Sequence, residues 1–487
     1  MYNPVQFKLT VMYDIPIQCI EMENIFMTKI EKTMQHIRSK IENHHLMMGA
    51  RLPSVRMLAK TLGYSVSTVI ESYDRLVAEK VIESRQGAGY FVSGTQTAFP
   101  QHELTRLVDR EIDPLWISRQ SLIAQPQVLK PGCGWLPGHW MPELSIRKAL
   151  RKVSKQHTDL LVNYANPWGH QPLRHWIARR IEQKGIYIQP DQVLLTESGT
   201  QAIDLICRLF LQAGDSVLVD DPYYFNFQSL LKVHRVNIVA VPYTENGPDI
   251  EQFEQIVQLH QPKLYITNAG IHNPTGATLS THTAYQILKV AEQANLTIVE
   301  DDIFADFEFV PAPRYLDLNG FTNVIQMGSF SKTVSASIRC GYIAAHPRLI
   351  DGLINLKIAT NFGCGLLNAG IIYTVLSDSS FRKHLEGLKL HLADHMSKAI
   401  RQLEKLDITP WVIPKGGIFL WCQLPKHIDA AELSKICLKY NVILAPGNAF
   451  SQSNNASHFL RFNVAQCHDQ RIYEVLEKAM QELSDEA

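Results

Sequence analysis

The sequence predicts two units in one chain: an N-terminal, mainly α winged helix-turn-helix and a larger C-terminal α/β unit with a mostly parallel sheet. Three observations carry this. The chain has 487 residues, more than one ordinary domain holds. Helix, glycine-containing turn, helix and β-hairpin follow one another between residues 22 and 93. From about Pro131 onward, short apolar strands alternate with longer amphipathic segments, the pattern of βα units.

In the first unit, Ile30, Met34, Ile37 and Ile41 recur at helical spacing, and a turn follows around Gly49. The spacing then predicts helix 55–62, turn 63–66 and helix 67–79. Two short strands are expected, Ile82–Ser84 and Tyr90–Val92, with Gly87 and Gly89 in the turn between them. Residues 1–21 are read as an extension without assigned structure. Residues 94–108, GTQTAFPQHELTRLV, are polar and unpatterned and read as a linker. The large unit takes 109–487. Its expected strands include Gln192–Thr196, Ser216–Val219, Lys263–Thr267, Thr297–Val299, Val324–Met327 and Gly341–Ala344. Helices are expected at Thr200–Leu211 and Thr283–Ala294.

Composition narrows the class. Hydrophobic residues make up 46% and charged residues 19%, values of a soluble globular protein. Basic and acidic side chains balance at 47 each, so whole-chain charge gives no pointer to nucleic acid. Residues 22–93 have a mild basic excess, which permits phosphate contacts. None of the 8 cysteines forms a Cys-x-x-Cys pair, which argues against a zinc ribbon and for a reducing compartment. No signal peptide or run long enough to span a membrane is read, so the protein is expected in the cytoplasm. His391 and His395 lie one helical turn apart without the glutamate of a metalloprotease motif, and no metal site is assigned.

A helix-turn-helix needs a helix that enters the major groove. Val69, Tyr73, Leu76 and Val77 give the second helix one buried face. Ser65, Ser67, Thr68 and Ser72 are expected at its start or on its exposed side, where hydroxyls bond phosphates or bases. Arg56 and Arg85 are the expected cationic contacts, with Gly87 at the wing tip. The run RLPSVRMLAKTLG, then STVIESYDRLVAEKVIESRQGAGYFV, resembles the GntR family almost continuously. The resemblance implies Arg56, Thr68 and Arg85 as DNA-contacting residues. Many members of that family carry arginine where this chain has Val66, so one phosphate contact is missing. The alternative for this module is a purely protein-contacting role.

Six further pieces suit a phosphate-bearing ring. Lys332 sits in a serine-rich loop with Ser329 before it and Arg339 after it. Gly199, Thr200 and Gln201 open a helix whose amides suit an anion. Tyr224 follows a strand and a proline and could stack on a flat ring. The Asn273 amide can donate to a phenolic oxygen. Asp301 ends a strand, where a carboxylate keeps a pyridine nitrogen protonated. Arg461 on a late strand suits a carboxylate. Singly, the first five have plainer readings: a surface lysine, a helix cap, a core tyrosine, a turn asparagine, a strand-end aspartate.

Their order resembles the fold-type I aminotransferases over residues 131–480. That resemblance implies pyridoxal 5'-phosphate as cofactor, with Lys332 as its aldimine lysine. It pairs Asp301 with the ring nitrogen and Asn273 with the 3-hydroxyl, and stacks Tyr224 on the ring. It gives the phosphate to Gly199, Thr200, Gln201, Ser329 and Arg339, and an amino acid's carboxylate to Arg461. Tyr164 would reach the neighbouring subunit's phosphate, which implies a homodimer. Many relatives carry tyrosine where this chain has Phe304, so one hydroxyl on the cofactor is missing. His272 and Tyr223 are further candidates for shaping the pocket.

Together the two halves resemble the MocR subfamily of regulators. The resemblance implies a domain-swapped homodimer that binds operator DNA and responds to a small amino compound or to the cofactor. Two alternatives stand beside it: a working aminotransferase with an accessory DNA-binding head, and a cofactor-free DNA-binding protein with a vestigial large unit.

Overall fold

A computed structural model describes residues 27–42, 46, 49–85, 87–93, 114–155 and 159–486, so the extension 1–21 and the linker 94–108 lie outside the described residues. The described residues form two compact units, separated between Asp109 and Arg110.

The small unit has helices Lys29–Glu42, Val55–Leu62 and Val66–Ala78 and a hairpin of strands Ile82–Arg85 and Gly89–Val92. Local chemistry sets these boundaries. Ser54 caps the second helix by accepting from the Met57 amide, and Gly63 ends it in the left-handed region at φ 67°. Ser65 caps the third helix by accepting from the Thr68 amide at 3.1 Å. The hairpin pairs Ile82 with Val92 and Arg85 with Gly89, and Gly87 supplies the positive φ of its turn. Met34, Ile37, Leu58, Val69, Tyr73, Leu76, Ile82 and Val92 close one apolar core. The Tyr73 hydroxyl donates to the Pro53 carbonyl at 2.7 Å, so the buried phenol is satisfied.

The large unit is built on an eight-stranded sheet. From one edge its strands run Val193–Thr196, Gly341–Ala344, Val324–Ser329, Thr297–Asp301, Leu264–Thr267, Ser216–Asp221, Asn237–Thr244 and the short Gly247–Pro248. The central pairings are parallel. Strand Gly341–Ala344 is antiparallel to both of its neighbours, and Gly247–Pro248 is antiparallel to its own. The central strands are buried along almost their whole length, and successive side chains alternate between two apolar clusters. Leu218 and Tyr265 join one apolar cluster, while Val217, Val219, Leu264 and Ile266 join another on the opposite face. A second, antiparallel sheet follows, with strands Thr409–Pro410, Phe419–Gln423 and Phe459–Asn463. Helices Ser379–Glu404, Ala430–Lys439 and Arg471–Glu486 contribute to a third cluster with it.

In open α/β sheets, ligands bind beyond the carboxyl ends of the parallel strands. Ser198, Tyr224, Asn268, Asp301 and Ser329 all lie at or just past such ends.

Candidate functional site

A cavity of about 430 Å³ opens at those strand ends, within the usual size range for small-ligand pockets. Its lining includes Ser198, Gly199, Thr200, Tyr224, Asn273, Asp301, Phe304, Ser329, Lys332 and Arg339. Helix Gly199–Phe210 starts at its wall, where the Ser198 side chain accepts from the Gln201 amide at 3.0 Å. A Cβ on Gly199 would meet the Met327 methyl at 3.0 Å, so the backbone is pressed against the strand beneath. Ser329 Oγ lies 3.3 Å from the Cys340 carbonyl and 3.2 Å from Ser331 Oγ. Arg339 is exposed at the rim.

The charged groups lie deeper. Lys332 Nζ donates to the Gly134 carbonyl at 2.5 Å. Burial, then the nearby Arg461 charge, brings this amine down to about 8. Burial raises the Asp301 carboxyl to about 7, although Asn268 and the Ile303 amide favour its charged form. Arg461 is 1% exposed on strand Phe459–Asn463, and its guanidinium lies over the rings of Phe419 and Phe450 at 4.2 and 4.7 Å. It donates to Asn273 Oδ1 at 2.9 Å and to the Gly132 carbonyl at 2.8 Å, while its buried Nε has no partner among the described residues. Burial draws this group down to about 10. A guanidinium only donates, so its bond fixes the Asn273 oxygen and leaves the Asn273 NH2 for the cavity.

On the small unit, the recognition helix Val66–Ala78 buries Val69, Ser72, Tyr73 and Leu76. Arg56 is exposed on the helix before it. Arg85 on the wing is bound by Glu83 and lies over the Phe91 ring at 4.4 Å.

The aminotransferase class I and II model matches residues 138–478. The chain belongs to that family. Residues 29–92 match the bacterial regulatory proteins of the gntR family, so this family member also carries a DNA-binding head. The HTH-type transcriptional regulator YdcR of Escherichia coli is 28% identical, with 90% of this chain and 95% of that protein covered. The HTH-type transcriptional regulator NorG of Staphylococcus aureus is 26% identical over 83% of this chain and 94% of its own length. Among solved structures, LysN of Thermus thermophilus matches at TM-score 0.70 and 25% identity. That match covers 76% of this chain and 96% of LysN. LysN is an α-aminoadipate aminotransferase, solved with N-(5'-phosphopyridoxyl)-L-leucine. The MocR resemblance therefore holds in both halves: a gntR head on an aminotransferase-family body.

Within this aminotransferase-family chain the expected residues separate. Lys332, Asp301, Asn273, Tyr224, Gly199, Thr200, Ser329 and Arg339 line one cavity, and Arg461 lies behind it on Asn273. Gln201 does not line it: its amide is held by Ser198 and its side-chain oxygen accepts from the Glu197 amide at 2.7 Å. Tyr224 has its hydroxyl bound by Asn226 at 2.7 Å. Tyr164 is 82% exposed and packs on Phe362, outside the cavity of its own chain. His272 is buried between Thr275 and Asp220 and stacked on Tyr243, and Tyr223 reaches Gln452, so neither lines the cavity. His391 and His395 flank the Trp140 ring, and no metal-binding group is found among the described residues. Ser72 corrects an expectation. It is buried, with its hydroxyl on the Thr68 carbonyl at 2.7 Å, because position 72 falls within the Val69, Tyr73, Leu76 stripe. Sequence reasoning missed Ser198, Gly134, Trp135, Lys130 and Asn268. Only Ser198 carried a signal, as a serine three residues before Gln201 at a helix start.

Proposed function

We propose that this transcription regulator holds pyridoxal 5'-phosphate in the large unit's cavity and changes its grip on operator DNA when a small amino compound enters. One observation carries the reading: Lys332, Asp301 and Asn273 line a single cavity, with Arg461 on Asn273. The residues present fit the cofactor. Buried Asp301 is raised to about 7 and suits a cationic ring nitrogen, and the orphaned Arg461 Nε suits an oxygen acceptor.

When bound, pyridoxal phosphate supplies an aldehyde carbon open to amines and a ring that withdraws electrons. The Lys332 amine, brought down to about 8, is partly neutral near pH 7 and is the group that would hold that carbon. Gly199, Thr200, Ser329 and Arg339 would take the phosphate, and the Asn273 NH2 the ring hydroxyl. Tyr224 borders the same space. Arg461 would hold the carboxylate of an amino acid. Phe304 packs edge-on against Phe419 and offers no hydroxyl.

Exposed Leu161, Val162, Tyr164 and Phe362 support a homodimer in which Tyr164 reaches the partner's phosphate site. Exchange of heads between the two copies, with Arg56, Ser67, Thr68, Arg85 and Gly87 at the DNA, belongs to the same proposal. Among the described residues no helix is long and apolar enough to cross a membrane.

A visible absorbance spectrum before and after borohydride tests the cofactor and its lysine. A band lost on reduction in the wild type, and absent or shifted in Lys332→Ala, is expected. No band after adding pyridoxal phosphate would remove the cofactor from the account. The second reading, a working aminotransferase, draws on Lys332 and Arg461 lying together beside Gly134. Steady turnover of an amino donor with a keto acid would favour it.

A further inference from the structure

The hydroxyls at the start of the recognition helix are largely engaged with one another. Ser65 Oγ caps the helix and lies 2.9 Å from Ser67 Oγ and 2.7 Å from Thr68 Oγ1. Ser72 is buried. Beside exposed Ser67 and Glu71, the first two turns also expose two apolar side chains. Val66 is 45% exposed and Ile70 43%, and their i, i+4 spacing puts them on one face. Glu71, the next carboxylate, is bridged to Arg75 at 2.8 Å, which lowers its repulsion of phosphates. Exposed Arg56 and Lys60 on the preceding helix add the charge that DNA needs.

The N-terminal residues of a recognition helix meet base edges. The apolar group those edges offer in the major groove is the thymine methyl. We infer that Val66 and Ile70 are specificity-determining residues that read thymine methyl groups, so that each half-site carries A·T pairs beneath them. The inference rests on the DNA-binding reading above.

The test uses the full chain with pyridoxal phosphate and duplexes selected from a random-sequence library. Each enriched thymine is then replaced by uracil, which removes only the methyl. At a position that is read, wild-type affinity falls about fourfold, the value for burying one methyl. Val66→Ala and Ile70→Ala each bind the thymine and uracil forms within about twofold at one such position. Both side chains are exposed, so these variants fold, which circular dichroism checks. Equal wild-type affinity for every thymine and uracil pair overturns the inference and leaves DNA binding intact. So does discrimination that survives in both alanine variants. Failure to enrich any sequence overturns the DNA-binding reading and the inference with it.

Discussion

The recognition helix Val66–Ala78 and the cavity helix Gly199–Phe210 begin alike and meet different surroundings. Each starts at a serine whose Oγ accepts from the amide three residues on, at 3.1 Å for Ser65 and 3.0 Å for Ser198. Beyond the cap they diverge. The small unit's helix continues with exposed Val66 and Ile70. The large unit's continues with Gly199 and Thr200 at a cavity wall shared with Ser329 and Arg339. A capped helix end is therefore not itself a binding site. The side chains placed around it set which ligand chemistry it can meet.

Lys332→Ala is expected to remove the visible cofactor band and all response of operator affinity to amino compounds, while operator binding itself stays measurable. Arg461→Met comes next. It is expected to weaken amino acids on the order of 100-fold by calorimetry, the scale of charged hydrogen bonds, and to spare amines without a carboxylate. A smaller change follows from pH. With the free Lys332 amine near 8, its neutral fraction rises with pH, so loading of the cofactor-free chain speeds about tenfold from pH 7 to pH 9. Stopped-flow absorbance reads this, and a flat profile would remove Lys332 as the capturing amine. The least effect belongs to the cap. Ser65→Ala costs about 1 kcal/mol, read by hydrogen exchange in the small unit, and leaves the cofactor band unchanged.

Much of this was legible in the sequence, because the chemistry-bearing residues sit in short motifs at strand ends. Lys332, Asp301 and Asn273 are far apart in the chain, and the sheet brings them together. The helix-turn-helix boundaries differ from expectation by about one residue, since Ser54, Gly63 and Ser65 mark them chemically. Ser72 was misread because its hydroxyl outweighed its place in the i, i+3, i+4, i+7 stripe. Lys130 and Trp135 were not legible, because they enter the cavity from a segment without regular pattern that lies beside the second sheet. The antiparallel setting of Gly341–Ala344 follows from a connection too short for a parallel crossover from Ser329, a constraint of length and not of residue type.

The proposed function requires coupling between the cavity and the DNA-binding head. Its most direct test is operator affinity of the cofactor-loaded wild type and of Lys332→Ala, each titrated with a panel of amino acids and amines. The account predicts that at least one compound shifts wild-type affinity by about 5- to 150-fold, the usual range of allosteric coupling, and leaves Lys332→Ala unmoved. A panel without effect on the wild type, or an equal shift in the variant, would contradict it.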